Sequence, residues 1–308
     1  MEQQTETINE LLAAIAKKSE QNALSDNNNY IGSDGLVYCG LCNTPRQTVI
    51  SKGIKVFCMC DCQAAEYKRE REVLASKQLE YQIEHYRDIA FPPNSAYRYW
   101  TFANSNGNNQ DLAKIAKNYV ERFSEFAELH KGLLLYGEKG TGKSYTAACI
   151  ANALIDKGRK VYFTNFARIA NEMQSSFKGR NEYLDELCGA DLLIIDDFQA
   201  ERNTEYMREI IFQTIDARYN TKLPLIVTTN LTADEIKRYD KDRDTARVIS
   251  RLLEMCHPYE VKGEDIRKQK LKTDYATINK MLFVEAQESS FDLEELERIA
   301  IAKYKKQN

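Results

Sequence analysis

The sequence predicts an α/β fold: a parallel five-stranded sheet wound on both faces, preceded by a small cysteine-rich domain and a helical linker. Three observations carry this. First, Gly137-Glu138-Lys139-Gly140-Thr141-Gly142-Lys143-Ser144 lies between the apolar run Leu133–Tyr136 and the helix-compatible stretch Tyr145–Ile155. Second, short apolar runs alternate with helical-period segments from there to residue 261, the pattern of βαβ units. Third, five of the eight cysteines fall between Cys39 and Cys62.

The glycine-rich segment fits the pattern G-x-x-x-x-G-K-[ST] in its required strand-to-helix setting. Its glycines let backbone N–H groups turn inward around phosphate oxygens. The positive end of the following helix points at the same place. Lys143 is placed to reach the β- and γ-phosphates, and the Ser144 hydroxyl to ligate Mg²⁺. Gly137, Glu138, Lys139, Gly140, Thr141, Gly142, Lys143, Ser144 and Tyr145 are therefore the expected contacts for ATP. A chance glycine-rich turn is the plainer alternative, and the flanking strand and helix argue against it.

Composition sets bounds. The 308 residues suffice for more than one domain. With 43% hydrophobic and 29% charged residues the chain reads as an ordinary soluble protein. A net charge of −3 gives no global basicity, although a local basic groove stays compatible with it. The start, Met1-Glu2-Gln3-Gln4-Thr5-Glu6, is acidic and polar, so no secretory signal is expected. No apolar run approaches the roughly 20 residues of a membrane span. The expectation is a cytoplasmic protein without a membrane partner. In a reducing compartment clustered cysteines point to metal rather than disulfides.

In chain order, residues 7–18 carry Ile8, Leu11, Leu12 and Ile15 at helical spacing, a packing face. Asn22–Asn29 is a polar linker, so residues 1–30 form an N-terminal helix and linker. Cys39-Gly40-Leu41-Cys42 and Cys58-Met59-Cys60-Asp61-Cys62 flank a β-like stretch from Val49 to Phe57. A C-x-x-C turn brings two thiolates onto one ion, and a second pair completes a closed, structural tetrahedral zinc site. The expected ligands are Cys39, Cys42, Cys58 and Cys60, with Cys62 as a substitute for Cys60. Residues 63–88 form a charged helix read as a solvated spacer, stopped by Phe91-Pro92-Pro93-Asn94. Residues 31–90 make the zinc-binding domain. The aromatic cluster Tyr97, Tyr99, Trp100, Phe102 can stack bases, or pack on the core or an adenine; packing is favoured. Residues 110–130 read as one helix. Further strands are expected at 160–164, 190–197, 223–230 and 256–261, with helices at 168–177, 201–219, 233–239 and 243–253.

In a parallel α/β sheet ligands gather at the C-terminal strand edge. The aliphatic run Leu192–Ile195 delivers Asp196 and Asp197 to that edge. Asp196 is the expected Mg²⁺ holder with Ser144, and Asp197 is placed to polarise the attacking water. Asn230 ends the next strand, where an amide can orient water and sense the γ-phosphate; a turn or helix-cap asparagine is the plainer reading. Arg243, Arg247 and Arg251 are four apart. Arg251 is the arginine-finger candidate, a guanidinium often supplied by a neighbouring subunit. Arg267, after the last strand, suits a sensor-2 role in the same subunit. Singly, each arginine is as readily a surface residue.

The order Gly137–Ser144, Leu192–Asp197, Thr228–Asn230, Ser250–Leu253, Gly263–Arg267, with the lead-in Trp100-Thr101-Phe102-Ala103-Asn104, resembles the AAA+ P-loop ATPases of the bacterial DnaC-type helicase loaders and IstB-type transposition helpers. The resemblance covers roughly residues 96–270. It implies ATP with Mg²⁺ as substrate and ADP with phosphate as product. It also implies coupling to single-stranded DNA and to a hexameric replicative DNA helicase, and self-association through Arg251 acting in trans. The cysteine cluster is similar to helicase-docking N-terminal parts of loaders from Gram-positive bacteria and their phages. Asp197 stands where most AAA+ proteins carry glutamate, although an aspartate pair occurs in this subgroup. Residues 271–308 run past the match as a helical extension. Phe177, Lys178 and Arg180 make a candidate DNA contact, with a solvated loop as the plainer reading. Alternatives to a loader are an IstB-type helper acting with a transposase, a nucleotide-binding adaptor with little turnover, and a DNA-binding zinc protein.

Overall fold

The computed structural model describes residues 28–50, 53–104, 109–175, 179–199, 204–237 and 243–282. The helix expected over 7–18, Phe177 with Lys178, and the segment 283–308 lie outside the described residues. The chain divides into two compact units between Gln82 and Ile83.

The first unit holds two antiparallel ribbons, β1 (Tyr30–Ile31) with β2 (Val37–Tyr38) and β3 (Gln47–Val49) with β4 (Lys55–Phe57). The β-like stretch Val49–Phe57 folds back on itself as part of the second ribbon, in which Val49 faces Lys55. Helix α1 (Asp61–Ala90) follows, and its residues from Ala64 to Gln82 are all exposed, as a solvated spacer requires. The division between units falls inside this helix, not at Phe91-Pro92-Pro93. From Ile83 onward the helix changes character: Ile83 and Tyr86 pack on the second unit's core, and Ala90 and Phe91 are fully buried in it.

The second unit is a parallel sheet in the order β6 (Val161–Thr164), β7 (Leu192–Phe198), β8 (Leu225–Thr229), β5 (Gly132–Tyr136), β9 (Cys256–Glu260). A short 3₁₀ turn (Ala96–Tyr99) leads to α2 (Gln110–Glu121) and α3 (Phe123–Glu128). The helix expected over 110–130 is thus broken at Arg122. Next come β5 (Gly132–Tyr136), α4 (Lys143–Ile155), β6 (Val161–Thr164) and α5 (Phe166–Ser175). Helix α6 (Arg180–Cys188) has no counterpart in the sequence reading; only Leu184, Leu187 and Cys188 bury along it. Then follow β7 (Leu192–Phe198), α7 (Glu205–Thr221), β8 (Leu225–Thr229), α8 (Ala233–Lys237), α9 (Arg243–Met255), β9 (Cys256–Glu260) and α10 (Ile266–Leu282). Helix α7 starts at Glu205, where the Thr204 hydroxyl accepts the Met207 N–H at 3.2 Å. Helix α10 runs unbroken through residue 270, the expected domain limit.

Strand residues alternate between two cores, one on each sheet face. Leu133, Leu135, Leu192, Ile194 and Ile226 face α2 and α4, while Leu134, Leu193, Ile195, Leu225 and Val227 face α5, α6, α7 and α9. Full burial of each such side chain contributes about 1.5–3 kcal/mol. The order has a functional consequence. Strand β8 lies between β5 and β7, so the ends of these three strands converge on one edge. No helix among the described residues is long and apolar enough to cross a membrane.

Candidate functional site

A cavity of about 560 Å³ opens at that edge, within the usual range for small-molecule sites. Its polar lining is the loop Lys139–Ser144 with Asp197, Asn230 and Arg267. Its apolar lining is Trp100, Phe102, Leu112, Ala113, Tyr145 and Cys149. The first set offers N–H groups and cations for phosphate, and the second offers aromatic faces for a base.

The loop is held by its own backbone. Gly142 sits at φ +94°, a left-handed conformation that starts α4 at Lys143 without a side-chain clash. Gly137 and Glu138 turn their carbonyls inward, accepting from Lys143 Nζ at 2.9 and 2.6 Å. Thr141 Oγ1 donates to Glu138 O at 2.9 Å. Burial pushes the Lys143 ammonium below its ordinary value, against the opposing pull of Asp197 and Asp196.

The two carboxylates of β7 part company. Consecutive strand residues face opposite ways, yet a register shift lies between Ile195 and Phe198, with Asp197 at φ +55°. The bulge turns Asp197 into the cavity while Asp196 stays buried beneath it. Thr228 of β8 fastens both: its Oγ1 donates to Asp196 Oδ1 at 2.5 Å and accepts the Asp197 N–H at 3.0 Å. Burial pushes the Asp196 carboxyl up, and hydrogen bonds from Thr228 and Ser144 oppose it. Asp196 and Ser144 thus touch, the arrangement by which they would hold Mg²⁺ beside the phosphates.

The aromatic lead-in serves two ends at once. Tyr97 packs at a tilt against Phe163 at 4.8 Å and meets the Trp100 edge at 4.7 Å, and Trp100 leans on Tyr145 at 5.3 Å. Asn152 Nδ2 donates to Tyr97 O and Trp100 O, and Tyr145 Oη donates to Thr101 O. The cluster therefore packs on the core and also walls the cavity. Tyr99 stands apart, largely exposed.

Arg251 is not brought to this cavity. It is paired with Asp216 of α7 and lies over the rings of Phe212 and Tyr219. Arg247 lies over Phe212 as well. Four residues at the site escaped the sequence reading: Thr228, Asp265, Asn109, and Lys117, whose ammonium lies over the Phe102 ring. Thr228 stood in plain view within Thr228-Thr229-Asn230; the other three depend on contacts remote in sequence.

In the first unit the sulfurs of Cys39, Cys42, Cys60 and Cys62 lie within 4.8 Å of one another. Cys62 replaces the expected Cys58. The reason is geometric. Cys58 follows directly on β4 and its N–H donates to Arg46 O at 2.8 Å, which holds it beside the preceding ribbon and outside the four-sulfur cluster. The helix beginning at Asp61 curls Cys62 back, so its Sγ is 3.3 Å from that of Cys60 and 3.6 Å from that of Cys39. Cys58 instead turns its thiol to Pro45 O. Zn–S bonds of about 2.3 Å place tetrahedral sulfurs about 3.8 Å apart, so the donor set fits Zn²⁺. The Thr44 hydroxyl lowers the Cys42 thiol to about 6, while hydrogen bonds to Cys60, Cys39 and Cys42 push Cys62 up to about 12. Four crowded sulfurs cannot all ionise without a cation among them.

The chain is 32% identical over 127 residues to the replicative helicase loader DnaC of Escherichia coli (strain K12), covering 40% of this chain and 51% of that one. It is 29% identical over 148 residues to the replicative helicase loader DnaI of Bacillus subtilis (strain 168), covering 44% and 48%. The chain spans about half the length of the curated relatives it matches. A crystal structure of DnaI overlaps 58% of this chain and 98% of its own, at 24% identity and a TM-score of 0.47. The match to the family described as IstB-like ATP binding protein begins inside α1, ahead of the expected residue 96. It takes in residues 70–274, more than half of the chain, and the chain belongs to that family.

Proposed function

We propose that the chain is an ATP-dependent loader that binds a hexameric replicative DNA helicase and delivers it onto single-stranded DNA. The observation that carries the enzymatic half is the cavity itself, where the phosphate loop faces Asp197, Asn230 and Arg267. In this reading ATP lies with its base against Trp100 and Phe102 and its phosphates on Gly140–Ser144. Mg²⁺ is held by Ser144 and Asp196. Asp197 activates the attacking water, Asn230 orients it, and Arg267 faces the γ-phosphate. The products are ADP and phosphate. The helicase half is supported by the two relatives, both replicative helicase loaders. The four-cysteine cluster supports a zinc-dependent docking module of residues 31–90, ahead of an ATPase domain over 96–270.

The test is mass photometry of the full chain mixed with a replicative helicase hexamer, with and without MgATP. A discrete, nucleotide-dependent complex is expected, with ATP turnover rising when single-stranded DNA and helicase are present. Absence of any complex, with capture by a transposase in the same assay, would replace the loader by the transposition helper.

Arg251 acts in trans in this proposal, leaving Asp216 to meet the phosphates of a neighbouring copy. Arg251→Ala is expected to lower helicase-stimulated turnover by at least about tenfold. Mixing it with Lys143→Ala should then restore turnover, because each variant supplies the half-site the other lacks. No recovery on mixing would confine Arg251 to its contacts with α7.

A further inference from the structure

The segment after β9 is strapped along the phosphate loop. The Val261 N–H donates to Tyr136 O at 2.7 Å, Asn109 Nδ2 donates to Lys262 O at 3.0 Å, and the Ile266 N–H donates to Gly140 O at 3.1 Å. Within this strap Asp265 lays its carboxylate on the loop itself. A Cβ at Gly140 would fall 1.9 Å from Asp265 Oδ1 and 2.2 Å from its Cγ. Gly140, at φ +79°, is the residue whose bare Cα admits that carboxylate. The same Oδ1 accepts the Arg267 N–H at 2.9 Å. Asp265 therefore caps the first turn of α10, from which Arg267 lines the cavity.

Capping and charge are separable here. Asparagine or serine accepts the same N–H bond; only aspartate adds a negative charge beside a loop whose N–H groups and cations are arranged for anions. The two carboxylates of β7 already have roles in the chemistry: Asp196 with Ser144, and Asp197 facing the cavity. Asp265 has no such task. Its field opposes each negative charge that enters, and opposes a triphosphate more than a diphosphate.

We infer that Asp265 is a charge gate on the phosphate loop, one that weakens triphosphate binding and narrows the preference of the cavity for triphosphate over diphosphate. This rests on the nucleotide reading of the cavity. It also links the charge of the bound nucleotide to the seating of α10, since the carboxylate that feels the phosphates is the cap of that helix.

The chain has a single tryptophan, Trp100, and it walls the cavity. Its emission can therefore follow titration of the full chain with MgATP and MgADP. For Asp265→Asn and Asp265→Ser, both cap-competent, the ATP Kd should fall by about fivefold and the ADP Kd by about twofold, as expected for one unit charge across several ångströms of partly hydrated protein. The gain should vanish near 1 M salt, where the screening length is about 3 Å. Unchanged or weaker ATP binding in both variants would overturn the gate and leave Asp265 a helix cap. A gain that persists at high salt would overturn it too, assigning the effect to packing. If calorimetry and Trp100 emission both detect no nucleotide on the wild-type chain, the cavity reading itself fails and the gate falls with it. That outcome is distinct from a wild type that binds and variants that match it.

Discussion

Lys143→Ala is expected to abolish ATP turnover, with a loss of at least about a hundredfold, the effect of removing one preorganised charge donor from a reacting group. Lys143 is buried at the base of the loop, with its ammonium on two backbone carbonyls that a bound phosphate would rival. Alanine removes the cation and leaves Gly137 O and Glu138 O without that donor, near an opening to water. The fold should survive, because α4 keeps its N–H ladder and its buried face from Ala147 to Ile155. The measurements are phosphate release under saturating MgATP and a circular-dichroism melt on the same sample. Turnover within twofold of wild type would remove Lys143 from the site. Loss of turnover together with loss of the melt would charge the effect to folding, and Lys143→Arg then separates the two: it keeps a buried cation but cannot reproduce the compact ammonium.

The parts of this site that were legible in the sequence are those whose geometry is local. The phosphate loop needs only its glycines and the strand and helix on either side. Asp196 needs only the buried run before it. What escaped depends on neighbours distant in the chain. Nothing in Asp196-Asp197 announces that a bulge turns the second carboxylate into the cavity, because the Thr228 hydroxyl that holds it belongs to another strand. Nothing in Gly263–Arg267 announces that Asp265 rests on Gly140. The helical segments at either end of the second unit follow the same logic. Charge pattern marks α1 as a solvated spacer, but its last turns from Ile83 bury against a core formed by residues far downstream. Likewise α10 carries straight through residue 270, which no local signal in the sequence marks. Arg251 is singled out by its local context, Ser250-Arg251-Leu252-Leu253, and that context cannot say that Asp216, Phe212 and Tyr219 wait on the neighbouring helix.

The cysteine cluster yields the other large expected effect, and two single substitutions decide the ligand set. Cys62→Ser should strip zinc from the full chain, whereas Cys58→Ser should retain one equivalent. The contrast follows from position: Cys62 lies in the first turn of α1 with its sulfur against those of Cys39 and Cys60, while Cys58 continues the β3–β4 ladder, its N–H on Arg46 O and its thiol on Pro45 O. Structural zinc bound by thiolates is worth about 10–16 kcal/mol in small domains. The first unit has little else, since its ribbons are two or three residues long and its buried apolar side chains among the described residues are Val37, Cys39 and Cys60. Losing the metal should therefore unfold the ribbons and spare the parallel sheet, whose two cores contain none of these residues. Zinc per chain by mass spectrometry of metals and protease sensitivity of residues 28–60 read the two effects separately. Retained zinc in Cys62→Ser with loss in Cys58→Ser would restore Cys58 as ligand and place the turn at Asp61 elsewhere. Absence of zinc from the wild-type chain, with ribbons intact, would mean that the four sulfurs are a packing cluster and that the first unit holds together without a metal.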